Sequence, residues 1–366
     1  MATPIRVGII GVGWGAIVQA PAFRAVPEYE LVALCARRPE RVAAAAEQLG
    51  VTDTSTDWQE FVRRDDLDLI SVCTPVSLHA EQAIATVGAG KHLLCEKPVA
   101  VDAQDARRML DAAESAGVAH AICFENRFEP MRTALRDLVD GGALGTPYVA
   151  RSHTSADYWH PTRGLQSEWM YRLSDGGGYL MGMSSHDIDF VCELFGEPRS
   201  VSADVRSTVP ERPDADGKPF EVDADDTSVV LVRMANGMLA FISCSAVAFG
   251  NGVRELELFG SDGRIMTTVD FQAGDSSALL YEVGAQEPTT IVPPHRDVRS
   301  GAELPKRRAA GAIRSLALML EDWLPAFDGE PTPGVPTLRD GLRVQQVIDA
   351  ARRSSAGEGW VDVSSV

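Results

Sequence analysis

What this 366-residue chain has little of narrows its function before any motif is considered. Positive charge is short: 34 Lys and Arg stand against 52 Asp and Glu, a formal net charge of −18. Nucleic acid and anionic membrane surfaces both need a basic face, so neither is expected as a partner. No apolar stretch approaches the ~20 residues that span a bilayer. The chain enters a strand-like run at Ile5 to Ile10 with no charged-then-apolar leader before it. The six cysteines (Cys35, Cys73, Cys95, Cys123, Cys192, Cys244) lie singly in apolar segments, and no two form a CxxC pair. They read as reduced core residues of a cytoplasmic protein. The seven histidines are too dispersed for metal-ligand spacing, so no metal is expected. There is no internal repeat.

What is present is an alternation of short apolar runs and helical segments over the first third of the chain. Strands are predicted at Arg6–Ile10, Leu31–Cys35, Asp68–Cys73, Leu93–Cys95 and Ala119–Phe124, with helices between them. Apart from Ser71, Asp68–Cys73 is apolar after its first residue, as befits a sheet covered on both faces. The alternation specifies a doubly wound parallel sheet. The first strand runs into Gly11-Val12-Gly13-Trp14-Gly15-Ala16, a G-x-G-x-x-G/A pattern with Ala16 in the third position, and Ile17–Val26 is helical by pattern. Glycines there let the backbone turn tightly and approach a pyrophosphate seated on the helix N-terminus. The second strand ends in Ala36-Arg37-Arg38, with no carboxylate at its tip. A guanidinium suits a ribose 2′-phosphate where a carboxylate would suit a free 2′-hydroxyl. NADP is therefore favoured over NAD, although two arginines also fit a solvated helix start.

The segment Leu93-Leu94-Cys95-Glu96-Lys97-Pro98 carries a lysine to the carboxyl end of a buried strand. Ligands of open parallel sheets sit just beyond that edge, and a lysine there costs desolvation unless it has a partner or a role. Lys97 is thus the first candidate for chemistry. Further along, Leu180–Leu194 is helical by its apolar spacing and bears His186, whose ordinary pKa suits proton exchange. Tyr158-Trp159 end a strand predicted from Tyr148, and read equally as core or as the lining of a sugar-sized pocket. Asn236-Gly237 and the Gly260–Gly263 turn mark two hairpins. Residues 210–219 and 284–311 read as loops, the second with a basic cluster at Lys306-Arg307-Arg308.

These residues resemble the glucose–fructose oxidoreductase / inositol dehydrogenase (Gfo/Idh/MocA-type) family. The resemblance rests on Gly11-x-Gly13, Thr74-Pro75 with His79 downstream, Gly90-Lys91-His92 leading to Glu96-Lys97-Pro98, and Asn126-Arg127-Phe128. It continues through Gly176-Gly177-Gly178 and His186-Asp187-Ile188-Asp189 to Ala351–Ser354 and Trp360-Val361. It implies an α/β plus α+β architecture: a Rossmann domain over 1–124, and a substrate-binding domain over 125–366 built on a large, mostly antiparallel open-faced sheet. The C-terminal helix would pack back toward the first domain, and the sheet face would join a homodimer or homotetramer. It implies an NAD(P)-dependent dehydrogenase acting on a sugar, cyclitol or related polyhydroxylated molecule. Lys97 and His186 would be catalytic. Gly11, Gly13, Trp14, Gly15, Ala16, Ala36, Arg37, Arg38, Thr74, Pro75, His79, Glu96 and Lys97 would meet the nucleotide. Lys97, Asn126, Arg127, Tyr158, Trp159 and His186 would meet the substrate. The chain departs from the pattern at Gly182, where inositol-dehydrogenase-like members carry an aspartate one turn before the histidine. That departure motivates two other readings: transient oxidation by a tightly held nucleotide serving epimerisation, elimination or glycosidic cleavage, and a non-enzymatic nucleotide-binding regulator.

Overall fold

A computed structural model describes residues 3–163, 167–214, 217–250, 252–270, 276–299 and 309–366. Contacts divide the chain into two compact units. The first takes in Met1–Ala100, Gln104–Glu129 and His295–Leu342; the second takes in Val101–Ala103, Pro130–Pro294 and Arg343–Val366.

The first unit is built on strands β1 (Ile5–Ile10), β2 (Tyr29–Cys35), β3 (Asp53–Ser55), β4 (Leu69–Val72), β5 (His92–Cys95) and β6 (His120–Ile122). All pair in parallel, in the order β3-β2-β1-β4-β5-β6. The order reverses direction between β1 and β4, the place where such sheets open a crevice at their carboxyl edge. Helices α1 (Ala20–Arg24), α2 (Pro39–Leu49), α3 (Trp58–Phe61), α4 (His79–Gly88) and α5 (Ala103–Ala116) connect the strands. β4 is buried at every position because helices cover both its faces. Asp57 accepts from the N–H groups of Gln59 and Glu60 and so starts α3. All six cysteines are buried, and none is in a disulfide.

One part of this unit comes from far along the chain. Helix α8 (Ala310–Trp323) buries Ile313, Leu316, Ala317, Leu320 and Trp323 in one cluster with Val7, Ile9, Phe23 and Leu34. Tyr29 donates to the Leu320 carbonyl at 3.0 Å. The apolar stripe of α8 needs a covered surface, so the chain returns to the first unit after residue 294. A single boundary at 124 does not anticipate that return.

The second unit holds helices α6 (Pro130–Asp140) and α7 (Ser185–Phe195) and most of α9 (Leu338–Arg353). Its strands are β7 (Pro147–Ser155), β8 (Pro198–Arg206), β9 (Glu211–Pro213), β10 (Pro219–Glu221), β11 (Thr227–Met234), β12 (Leu239–Ser245), β13 (Val253–Gly260), β14 (Gly263–Asp270), β15 (Ser276–Glu282), β16 (Thr289–Thr290) and β17 (Val361–Asp362). Nine of them form one sheet, β16-β15-β14-β13-β7-β12-β11-β8-β17, antiparallel except where β7 meets β12. The Asn236-Gly237 hairpin forms as predicted, with Gly237 at φ 90° and Met234 N–H donating to the Met238 carbonyl. Along β11, Ser228, Val230, Val232 and Met234 are buried while Val229 is 49% exposed, the period-two pattern of a sheet covered on one face.

Two loop expectations change. Within 210–219, β9 pairs with β10 as a short antiparallel ribbon. The Asp214 side chain accepts from the Lys218 N–H and closes the turn. Within 284–311, β16 adds to the edge of β15. Lys306, Arg307 and Arg308 lie outside the described residues.

Candidate active site

Each unit carries its own candidate residues. In the first, Gly11 leaves β1 with φ +105°, and a Cβ there would lie 2.1 Å from the Cys73 carbonyl oxygen. Only glycine lets the turn pass so close to the end of β4. A Cβ on Gly15 would meet Ile9 at 2.9 Å, whereas one on Gly13 would meet nothing within 4 Å. Gly11 and Gly15 therefore serve close packing, and Gly13 borders open space. Trp14 (43%) and Ile17 (52%) are exposed beside it, and Ala16 is buried. Gly15–Gln19 form a wide helical turn before α1, where the sequence reads as plain helix. Ala36 is half-buried, and Arg37 and Arg38 are exposed at the end of β2. This cradle fits a dinucleotide: a tight glycine turn with free room before its second glycine, next to two exposed guanidinium groups.

Lys97 stands half-buried two residues beyond β5, followed by a cis bond to Pro98. The groups beneath it are polar and buried. The Glu96 carboxylate accepts from Gln19 Nε2 at 2.8 Å and from the Lys97 N–H at 3.2 Å. Gln19 Oε1 accepts in turn from Ser71 Oγ at 2.7 Å. Burial pushes the Glu96 carboxyl up, against the pull of the Lys97 charge and the Gln19 bond. Glu96 is thus tied beneath Lys97. Gln19 has no motif to announce it; its one signal is a polar residue in the apolar run Ala16–Phe23.

His79 is 1% exposed, with Nδ1 3.0 Å from the Pro98 carbonyl and Nε2 2.9 Å from the Thr74 carbonyl. Burial lowers its pKa, while the two carbonyls oppose that shift. The ring clamps the Thr74-Pro75 end of β4 to the residue after Lys97. It shapes the cradle from behind. Thr74 donates to Gln82 at 2.7 Å. Arg127, read as a substrate contact, is 4% exposed and donates to Asp340 at 3.0 Å, which anchors the turn after β6. Asn126 beside it is half-buried.

In the second unit, His186 is 4% exposed on the first turn of α7. Arg132 of α6 donates to the His186 carbonyl at 2.8 Å and to the Asp187 carboxylate at 2.5 Å. Thr154 of β7 donates to the other Asp187 oxygen at 3.2 Å. Burial would raise the Asp187 pKa, but Arg254 and Arg132 outweigh it and hold the carboxyl below its ordinary value. Asp187 thus fixes the helix turn that carries His186. Arg132, Arg254 and Thr154 escape sequence reading because they come from separate elements. A wide turn over Leu180–Ser184 precedes α7, and a Cβ at Gly182 would meet nothing within 4 Å. Gly182 therefore opens onto free space, and close packing is not its reason. Trp159 is 3% exposed, 4.7 Å from the Tyr171 ring and 5.7 Å from the Tyr179 ring. It belongs to an aromatic core cluster, against which Tyr158 packs half-buried.

Comparison with known proteins agrees with the fold of both units. Residues 5–124 match a family model described as an oxidoreductase family with an NAD-binding Rossmann fold, and residues 133–266 match the GFO/IDH/MocA C-terminal domain. The levoglucosan dehydrogenase of Pseudarthrobacter phenanthrenivorans is 28% identical over 393 residues, covering 99% of both chains. The myo-inositol 2-dehydrogenase of Thermotoga maritima is 31% identical over 287 residues, 76% of this chain and 82% of that protein. A solved levoglucosan dehydrogenase in complex with NADH superposes with a TM-score of 0.86 at 27% identity, covering 99% of each chain.

Proposed function

The chain belongs to the Gfo/Idh/MocA oxidoreductase family, and from that premise we propose that it is a dehydrogenase of a sugar, cyclitol or related polyhydroxylated molecule that prefers NADP. One observation carries the reading: Lys97, above a buried polar network, shares a sheet edge with the open Gly13 turn. The nicotinamide, when bound, supplies hydride transfer to or from a substrate carbon. Gly11, Gly13, Trp14, Gly15 and Ala16 hold the pyrophosphate end, and Ala36, Arg37 and Arg38 the ribose end. Thr74 and Pro75 border the nucleotide. Lys97 hydrogen-bonds the reacting oxygen and stabilises its developing charge. His186 exchanges the proton of that oxygen. Asn126 and Tyr158 contact the substrate; Arg127, Trp159, His79 and Glu96 support the groups that do.

The exposed guanidinium groups of Arg37 and Arg38 support the NADP preference, and the relative solved with NADH makes NAD the competing choice. Apolar side chains on the outer face of the nine-stranded sheet (Val229 49%, Phe241 37% and Tyr281 37% exposed) support a homodimer or homotetramer through that face.

The test is turnover of a panel of sugars and cyclitols with NADP and NAD, followed by nicotinamide absorbance. Lys97→Ala is expected to abolish turnover while nucleotide binding, read by fluorescence titration, persists. Unchanged turnover in that variant would remove Lys97 from the mechanism.

A further inference from the structure

The glycine run Gly176-Gly177-Gly178 ahead of the His186 helix lets the chain pass close to other backbone and to a buried carboxylate. A Cβ on Gly177 would lie 2.5 Å from the Met170 carbonyl oxygen. Gly178 has φ +116°, and a Cβ there would lie 2.3 Å from Asp225 Oδ1. Glycine alone fits both places. The Gly178 N–H donates to the Met170 carbonyl at 3.1 Å, and the helical run opens with the Gly182 N–H donating to the Gly178 carbonyl at 2.9 Å.

The first N–H groups of a helix have no partner within it. Asp225 meets two of them here. Its carbonyl accepts from the Tyr179 N–H at 2.8 Å, and its Oδ2 accepts from the Leu180 N–H at 2.7 Å. Asp225 is 3% exposed and stands just before β11. Its neighbour ties it to the sheet. The Asp226 N–H donates to the Arg206 carbonyl at the end of β8 at 2.9 Å, and the Asp226 carbonyl accepts from the Ala246 N–H just past β12 at 2.8 Å. The Asp226 carboxylate accepts from the Thr208 hydroxyl and the Val209 N–H. The cap is therefore held by β8, β11 and β12 rather than by a free loop. Burial pushes the Asp225 carboxyl up to about 6. An apolar residue would avoid that cost, but it would leave the Leu180 N–H unmet.

The wide turn Leu180–Ser184 follows the cap, and His186 follows the turn on α7. A wide turn takes more residues than an α-helical one, and each helical residue rotates the next by about 100°. The direction of the His186 side chain thus depends on where the wide turn begins. Asp225 holds the N–H groups at that beginning, and Arg132 holds the far end through the His186 carbonyl at 2.8 Å.

We infer that Asp225 is a positioning residue for His186, fixing the start of the wide turn and with it the direction in which the imidazole points. This rests on the proton-exchange role proposed above for His186. Asp225 acts through the backbone of residues 179–186 and moves no proton itself.

The test needs no substrate, so its failure is separable from failure of the dehydrogenase reading. Hydrogen–deuterium exchange of the full chain, read by mass spectrometry, compares wild type, Asp225→Ala and Asp225→Asn. Asp225→Ala should exchange the amides of residues 179–186 about tenfold faster or more, the effect of losing a hydrogen bond to a charged group. Asp225→Asn keeps an acceptor for the Leu180 N–H and should restore exchange to within about twofold of wild type. Nitrogen NMR of the histidine rings, with His186 assigned by its loss in His186→Gln, reads the imidazole itself. Its resonance should move in Asp225→Ala and return in Asp225→Asn. Asp225→Ser, whose short side chain also leaves the Leu180 N–H unmet, carries the comparison if the alanine variant does not fold. Wild-type exchange over 179–186 in these variants, faster exchange spread evenly over the second unit, or an unmoved His186 resonance would overturn the inference.

Discussion

Gly11 and Gly13 lie two residues apart in one turn, yet the same added methyl should act on different properties. At Gly11 an alanine takes a left-handed backbone at φ +105°, with its Cβ 2.1 Å from the Cys73 carbonyl oxygen. The backbone term is about 1–2 kcal/mol, and forcing extra volume into a packed site adds about 1–3 kcal/mol. Gly11→Ala is therefore expected to lose ~2–5 kcal/mol. At ~2–4 °C per kcal/mol this is a fall of roughly 4–20 °C in melting temperature. At Gly13 the new methyl meets no protein atom within 4 Å, so Gly13→Ala should keep its stability within about 0.5 kcal/mol. The methyl would occupy the room assigned to the pyrophosphate, and NADPH affinity should fall at least tenfold, about 1.4 kcal/mol. Differential scanning fluorimetry without ligand and NADPH fluorescence titration read the two effects separately. If Gly13→Ala binds nucleotide like wild type, the cradle is misplaced; if Gly11→Ala melts like wild type, the close approach to Cys73 is not a constraint.

Other perturbations probe the supports of the site. Asp187→Asn should cost about 3–5 kcal/mol, because the Arg132 guanidinium stays buried without its charge partner. Its pH signature has a definite sign. A carboxyl held below its ordinary value stabilises the fold above the unfolded pKa and loses that contribution as pH falls through the lowered value, so the variant should flatten the acid limb of a melting-temperature profile. Asp225 should behave in the opposite way: burial raises it to about 6 from 3.8, so the fold weakens as pH rises between those values, by about 3 kcal/mol in all. Asp225→Asn keeps an acceptor for the Leu180 N–H and should remove that slope, read by melting from pH 4 to pH 7. Replacing Arg37 and Arg38 together with alanine should cut NADPH affinity about tenfold or more while leaving NADH nearly untouched; tighter NADH than NADPH binding by the wild type would refute the NADP preference.

The features legible in the sequence are those whose cause is local. The Gly11–Ala16 turn, the parallel alternation of strands and helices, the Glu96-Lys97-Pro98 segment at a strand end and the Asn236-Gly237 hairpin each depend on neighbours within a few residues. Backbone conformation, periodicity and turn chemistry act over that range. Lys97 could be singled out for the same reason, whereas His186 is singled out only by the family resemblance of its place after Gly176-Gly177-Gly178. What the sequence misread or missed depends on partners far apart in the chain. Gln19 meets Glu96 across 77 residues, and Arg127 meets Asp340 across 213. His79 reads as a nucleotide contact until its ring is seen held between two backbone carbonyls. Arg127 reads by resemblance as a substrate contact, and Trp159 equally as core or pocket lining, until burial makes the one an anchor and the other a core residue. The return of α8 to the first unit and the free space at Gly182 belong to the same class. The sequence by itself determined which backbone turns and strand ends carry reactive groups, because these follow from short-range sterics. Only the tertiary structure decided which polar side chains are buried, because desolvation and pairing depend on what the rest of the chain brings alongside.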